Sequence, residues 1–437
     1  MKKMKYIGVP WIGEIPSDWK MIAIKYLAYY NSDTLEETTD ETFEFDYIDI
    51  GSVVNGQGIT QLQHMNFASA PSRARRIVQK GDVILSTVRT YLKAVATIEE
   101  FVTPQIVSTG FIVLRAKEQA ILARFLYFAI LSENFISEVE AHSVGISYPA
   151  INASSIVTFK IPTPSLSIQS KIVSYLDAKC GKIDSIITRE KAIIKKLKEY
   201  KLSMITETVT TGLNPNTPMK DSGIEWIGKI PGHWKLVPFK HILRERTEKN
   251  VPVQTDERLS LSIDKGVTLY SEKTTNLDRF KDDVSQYKLA HIGDLVLNSM
   301  NMIVGAVGIS NYFGCVSPAY YTYYDNEENH VTARFCDYLF RSKTIKKVLF
   351  SLGKGIMAID RGDDKINTCR LKVSRDDLRS LKLPLPDTCE QATIIDFLDK
   401  KNVEINSAIA KKQSIIDKLT EYKKSLIYEV VTGKKEV

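Results

Sequence analysis

From Ser167 to Thr210 the chain holds no proline and a single glycine, Gly181, while apolar residues fall at Ile172, Leu176, Ile183, Ile187, Ile194, Leu197 and Met204. Steps of three, four and seven are those of one helix face packed along its length. Ile186, Ile193 and Tyr200 widen the stripe. A later segment carries it again at Ile394, Leu398, Ile405, Ile409, Ile416, Leu419 and Leu426, flanked by Ile415 and Tyr422. Each predicted helix follows a proline-rich lead-in, Ile161-Pro162-Thr163-Pro164 or Leu383-Pro384-Leu385-Pro386, where proline stops a strand and aims the chain. A long helix with one apolar stripe is marginal alone. The nearest matched partner is its own duplicate, so the pattern predicts an antiparallel coiled coil with pseudo-two-fold symmetry; the alternative lays each helix on its own globular domain.

Between these rods the pattern shortens. Gly81-Asp82-Val83-Ile84-Leu85-Ser86 and Gly293-Asp294-Leu295-Val296-Leu297-Asn298 each read as a turn feeding a buried strand. Gln105 to Leu114 and Cys315 to Tyr324 read as further strands, and Ala123 to Val139 and Ala333 to Phe350 as amphipathic helices. The expected fold is α+β: two mixed modules separated by two long helices.

The modules are copies of one plan. Trp11 to Trp19 reads Trp-Ile-Gly-Glu-Ile-Pro-Ser-Asp-Trp and Trp226 to Trp234 reads Trp-Ile-Gly-Lys-Ile-Pro-Gly-His-Trp. Lys171 to Thr210 aligns without a gap on Thr393 to Thr432 with 19 of 40 positions identical, far above chance. A period above 200 residues is too long for a solenoid unit, so each copy is a domain plus a connector.

Composition excludes several classes. No stretch approaches 18 consecutive apolar residues and no apolar run follows the basic Met1 to Lys5, so neither a membrane span nor a secretory signal is expected, and the chain is expected to be cytoplasmic. Five scattered cysteines without a Cys-x-x-Cys pair suit reduced thiols, and six dispersed histidines suggest no zinc site. Neither a phosphate loop nor Gly-x-Gly-x-x-Gly is present. Asn214-Pro215-Asn216 lacks the second proline and aromatic of an amino-methyltransferase motif and reads as a linker turn. Glu199-Tyr200-Lys201 and Glu421-Tyr422-Lys423 match half of a nuclease site but sit mid-helix, where Glu and Lys are expected to solvate the rod while Tyr packs. No catalytic, metal or cofactor-binding residue is assigned.

Net charge is +7, a weak argument by itself. Residues 21–158 carry 10 Lys and Arg against 15 Asp and Glu, so any polyanion must bind a local basic surface. The candidates in the first module are Arg73, Arg75, Arg76 and Lys80 before the Gly-Asp strand, and Ser86, Thr87, Arg89, Thr90, Tyr91 and Lys93 after it. In the second they are Lys288 before the strand and Asn298, Ser299 and Asn301 after it, with Gly305 in the place of Lys93. Late glycine-containing loops add Ser147 and Tyr148 in one module, Lys354 and Arg361 in the other. Arginine can pair with guanine and asparagine with adenine, while Lys and Arg beside them contact phosphates. A rod of about 60 Å at 1.5 Å per residue is nearly twice the roughly 34 Å of one duplex turn. Two modules on such a spacer can read two half-sites.

The paired Trp segments, the Pro-x-Pro lead-in followed by Gln169 or Gln391, the Leu176-Asp177 and Leu398-Asp399 steps and the Glu-Tyr-Lys helices together resemble the specificity subunit of type I restriction-modification systems, over essentially the whole chain. The resemblance implies an N-terminal conserved segment at 1–20, target-recognition domains at 21–158 and 235–380, conserved helical spacers at 159–212 and 381–437, and a linker at 213–234 repeating the N-terminal segment. It implies a non-catalytic reader of double-stranded DNA with a bipartite asymmetric site. Two adenine methyltransferase subunits and restriction/translocase subunits are its implied partners. S-adenosylmethionine, ATP and magnesium would belong to those partners. The other readings are a fused methyltransferase-nuclease and a coiled-coil scaffold with two protein-binding modules.

Overall fold

The computed structural model describes residues 3–9, 12–99, 101–272, 283–325, 330–356 and 370–437. The chain divides into two compact units, Met1–Lys191 with Gln413–Val437 (unit 1) and Ala192–Lys412 (unit 2). The two long helices, Leu166–Thr211 and Thr388–Val431, each give one end to each unit.

In unit 1 the start of the first helix meets the end of the second. Ile172, Leu176, Cys180 and Ile183 share a buried core with Leu426, Ile427, Val430 and Val431, with Ile187 and Leu419 on its margin. In unit 2 the ends exchange: Met204, Ile205 and Val209 share a core with Ile394, Ile395, Leu398 and Ile405, and Leu197 and Ile409 pack against it. Opposite ends pair in both units, so the helices run antiparallel, as the stripe predicts. The alternative is also partly realised, because each core continues into its own globular part, through Phe125 and Phe135 in one and Phe335 and Phe340 in the other. Ile416 is buried and Ile194 half-buried.

The edges of the stripe differ from the sequence expectation. Tyr200 and Tyr422 are 58% and 49% exposed, and Ile186 and Ile415 also face solvent. The lysines beside the tyrosines turn inward: Lys423 Nζ lies 2.7 Å from Asp184, and Lys201 Nζ donates to Asn406 Oδ1 at 3.0 Å. The reason lies in the spacing. Lys201 is four residues after Leu197 and three before Met204, and Lys423 stands likewise between Leu419 and Leu426, so both occupy the seam itself. A polar residue at a seam position sets register.

Each unit builds a four-stranded antiparallel sheet around its Gly-Asp strand. In unit 1 Val83–Ser86 lies between Val95–Thr97 and Phe111–Ala116, with Ala28–Tyr30 at the edge. In unit 2 Leu295–Asn298 lies between Val307–Ile309 and Tyr320–Tyr324, with Arg244–Glu245 at the edge. Gly81 and Gly293 take φ of +87° and +88°, conformations that favour glycine. The aspartates that follow are buried and tie the turn. Asp82 accepts from the Gln79 N–H at 2.8 Å and from Arg115 at 2.8–2.9 Å; Asp294 accepts from the His291 N–H at 2.8 Å and from Arg246 at 2.6 Å.

Four further predictions are refined. The stretch Gln105 to Leu114 is two strands on two sheets, because Gln105–Ser108 pairs with Glu44–Ile48 and Ala74–Ile77 before the chain crosses at Gly110. A Cβ there would come within 2.6 Å of Ile50. Cys315 to Tyr324 likewise splits into Gly314–Val316 and Tyr320–Tyr324. Each amphipathic helix is a pair, Ala123–Leu131 with Glu133–Ala141 and Val331–Arg341 with Lys343–Leu352, broken at Ser132 or Ser342 in extended conformation. Of the lead-in prolines, Pro162 and Pro384 lie within strands, whereas Pro164 and Pro386 directly follow the strand ends as expected. Lys160–Thr163 pairs with Lys20–Ala23 and Lys382–Leu385 with Lys235–Pro238 in two-stranded sheets, where an outward-facing proline nitrogen removes no ladder bond.

Candidate nucleic-acid interface

In unit 1 the strand Val83–Ser86 runs into a turn whose backbone is the first thing to explain. Arg89 and Lys93 both hold φ of +51° and bracket a short 3-10 helix, Thr90–Leu92. This left-handed pair is held from below. The Thr87 N–H and hydroxyl both donate to the Gly110 carbonyl, at 2.8 and 3.0 Å, and the Thr109 N–H donates to Arg73 O at 2.8 Å. From the other side the Ile151 N–H donates to Thr87 O at 2.9 Å, and Thr90 Oγ1 donates to Ser143 Oγ at 3.0 Å. A tight hairpin follows, closed by mutual Val144 and Ala150 backbone bonds. Arg73, the turn and the hairpin therefore form one contiguous edge.

The candidate side chains divide into two groups on that edge. Arg73 is exposed and lies 3.5 Å from Asp49; Arg75 covers the Phe67 ring at 4.8 Å; Arg89 lies over the Tyr148 ring at 4.9 Å. Lys80, Tyr91 and Ser147 are exposed, and Tyr148 is 65% exposed. These can reach a ligand. Ser86, Thr87 and Thr90 are buried, with Ser86 Oγ unpartnered. Arg76 is half-buried, its Nε has no partner, and burial lowers its pKa. Lys93 is turned inward to Glu133 at 2.5 Å and Glu140 at 3.5 Å, and Glu133 in turn meets Lys424 of the second long helix at 3.5 Å. These side chains support the edge.

Unit 2 builds the same turn with different chemistry. Asn298 is buried and its Oδ1 accepts from the Met300 and Asn301 N–H groups at 3.1 and 3.3 Å. The 3-10 helix Met302–Val304 ends at Gly305 with φ of +100°. Lys93 and Gly305 thus fill one left-handed position. Ser299 is fully buried and its backbone carbonyl accepts from the Val373 N–H at 3.0 Å, the counterpart of the Ile151 bond in unit 1. Asn301 is exposed. Lys288 donates to Tyr320 O at 2.9 Å, and burial with the charges of Arg375 and Lys372 lowers its pKa.

The sequence reading named Lys354 but missed Lys372 and Arg375 beside it. An open groove of about 610 Å³ is lined by Lys354, Lys372 and Arg375, with Tyr321 and Asp376 among its walls. Lys354 and Lys372 face each other across the hairpin Lys354–Ile356 and Arg370–Lys372. Lys354 also meets Asp377 at 3.2 Å, and Arg375 meets Glu245 at 3.1 Å. The signal available was the cluster Lys372-Val373-Ser374-Arg375. Arg361 lies outside the described residues. Among the described residues no group of His, Cys, Asp and Glu could hold a metal, and no helix is long and apolar enough to cross a membrane.

Residues 16–199 match the type I restriction modification DNA specificity domain. A putative type I restriction enzyme MjaX specificity subunit of Methanocaldococcus jannaschii is 22% identical over 97% of this chain and 95% of its own length. The type I restriction enzyme HindI specificity subunit of Haemophilus influenzae is 22% identical over 38% of this chain and 36% of its own. A solved chain from work on complex assembly and conformational transition of the type I R-M system covers 96% of this chain and 99% of its own at 19% identity, with a TM-score of 0.69, and shares the fold. The matched domain, the full-length likeness and the shared fold agree: residues 16–199 match a type I restriction modification DNA specificity domain, and the chain as a whole is similar to type I restriction enzyme specificity subunits.

Proposed function

We propose that this chain is the non-catalytic DNA-reading subunit of a type I restriction-modification complex, with a bipartite asymmetric site read one half by each target-recognition domain, 21–158 and 235–380. The observation that carries the reading is the repeated turn-and-hairpin edge. It is joined by equivalent backbone bonds in both units but carries Arg73, Arg75 and Arg89 in one and Asn301, Lys354, Lys372 and Arg375 in the other. Equal frames with unequal polar tips suit two different half-sites. The exposed faces of the helical spacers 159–212 and 381–437, including Tyr200 and Tyr422, are the docking surfaces for two adenine methyltransferase subunits. Restriction/translocase subunits complete the complex, and S-adenosylmethionine, ATP and magnesium belong to those partners. The complex works in the cytoplasm.

The test is exchange of residues 21–158 for another module, read by mapping methylated motifs in host DNA. One half-site changes and the other persists; altered specificity in both halves would contradict the reading. Adding a few residues to the spacer helix changes the number of unread bases between halves, since the spacer sets the gap. Binding weakens steeply as salt rises, because phosphate contacts release counterions.

A further inference from the structure

The hairpin that closes the unit 1 edge has an unusual tip. Ile146 is fully exposed and Val144 80% exposed, flanked by Tyr148. Single apolar residues on a surface are ordinary, but these three share one short, rigid element. Its base is fixed by the Val144–Ala150 bonds and by the Val88–Ala150 bridge to the turn. Its bend is fixed by Gly145 at φ of +116°, where a Cβ would come within 3.1 Å of Tyr148 O. Water gains nothing from an apolar point held in this way, so the tip is shaped for something that covers it.

The surroundings identify the occupant. Arg89 lies on the Tyr148 ring beside the tip, and Arg73 is joined to the same edge through Thr109, Gly110 and Thr87. An apolar point flanked by exposed arginines is complementary to a polyanion whose interior is apolar and stacked. We propose that Ile146 is a wedge that enters between two base pairs of the half-site read by unit 1, unstacking one step and bending the duplex while Arg89 and Arg73 hold the adjoining phosphates. Proteins that insert Ile, Leu or Phe in this manner kink DNA by roughly 20–90°. The step chosen is one that unstacks easily, such as a pyrimidine–purine step, so the wedge selects sequence without hydrogen bonds to bases. The inference rests on the DNA-reading assignment above.

The test uses the complete chain with its methyltransferase subunits and duplexes of the methylated motif. 2-Aminopurine replaces each base in turn within the half-site that follows residues 21–158. Fluorescence rises severalfold at one step other than the methylated base, and end-to-end energy transfer reports a bend. Ile146→Ser abolishes both signals and leaves the salt dependence of binding unchanged, whereas Ile146→Leu retains them. Absence of such a step in the wild type, or its persistence in Ile146→Ser, overturns the wedge. So does a loss confined to assembly with the methyltransferase, which would mark the tip as a protein contact. A wild-type complex that binds DNA without regard to sequence would instead overturn the DNA-reading assignment itself.

Discussion

The two units carry the same bond at the root of their reading edge and different side chains beside it. Ile151 in unit 1 and Val373 in unit 2 each donate a backbone N–H to the residue one past the Gly-Asp strand, Thr87 or Ser299. Beyond that bond unit 1 presents a short apolar tip at Ile146, and unit 2 a hairpin flanked by Lys354 and Lys372. The same division holds elsewhere. The buried Asp82 takes its arginine from the strand Phe111–Ala116, and Asp294 from Arg246 just past the edge strand. Duplicated parts have kept the backbone task and replaced the side chain that performs it. A frame specified by backbone geometry and buried carboxylates leaves the tips free to diverge.

The largest expected effect tests the shared frame. Asp82→Ala or Asp294→Ala removes the buried carboxylate that ties the turn, leaving Arg115 only Asp33 and Arg246 only Glu248, and costs about 3 kcal/mol in either unit, measured by urea unfolding; a cost in one unit only would break the equivalence. The tips should differ next. Lys372→Ala and Arg375→Ala each reduce the salt slope of binding by about 1 if they contact phosphates, whereas Ile146→Ser leaves the slope unchanged.

Gly305→Ala meets both a φ of +100° and Lys346 at 2.8 Å, and costs about 1–3 kcal/mol. Lys93→Gly removes backbone strain at the same place but also the links to Glu133 and Glu140, so its thermal effect is smaller than that of Gly305→Ala.

Acid separates the units more gently. Burial favours the protonated form of Glu133, but the hydrogen bond and charge of Lys93 and the charge of Lys424 outweigh it and hold the carboxyl below its ordinary value of 4.5. A depressed carboxylate contributes stability that is present above the unfolded pKa and lost as pH falls through the folded one. Unit 1 therefore loses this contribution below about pH 4.5, and Glu133→Gln flattens that part of its pH–stability curve. Smallest is Asp184→Asn, which gives unit 1 the polar partner that Lys201 finds in Asn406. Because Asp184 is half-exposed, the change costs no more than about 1 kcal/mol in thermal stability.

The helices were legible because a seam repeats, and the Gly-Asp strands because a left-handed glycine and a short apolar run have a fixed order. The inward lysines were legible in principle. Lys201 and Lys423 keep the four-and-three spacing of their seams, but an apolar stripe draws attention to Tyr200 and Tyr422, which stand one residue, about 100°, away. The reading edge was harder. Nothing local distinguishes the inward Lys93 from the outward Arg89, since both share a left-handed backbone and their directions depend on Glu133 and Tyr148, distant in sequence. Ser299 and Asn298 look like polar tips and are buried because the later strand Arg370–Lys372 leads into Val373, which closes over them. Arg375 was missed because its place is set by a groove whose other walls, Pro318 to Tyr321, are far along the chain.

Unit 2 is one uninterrupted stretch, whereas unit 1 needs residues 413–437 to supply Leu426, Ile427, Val430 and Val431 to its core and to bring Gly433 against Pro16 and Trp19. Translation delivers those residues after the whole of unit 2. On the ribosome the downstream unit has all its parts while the upstream one still lacks Leu426, Ile427, Val430 and Val431, so the half synthesised first is the half whose core is completed second.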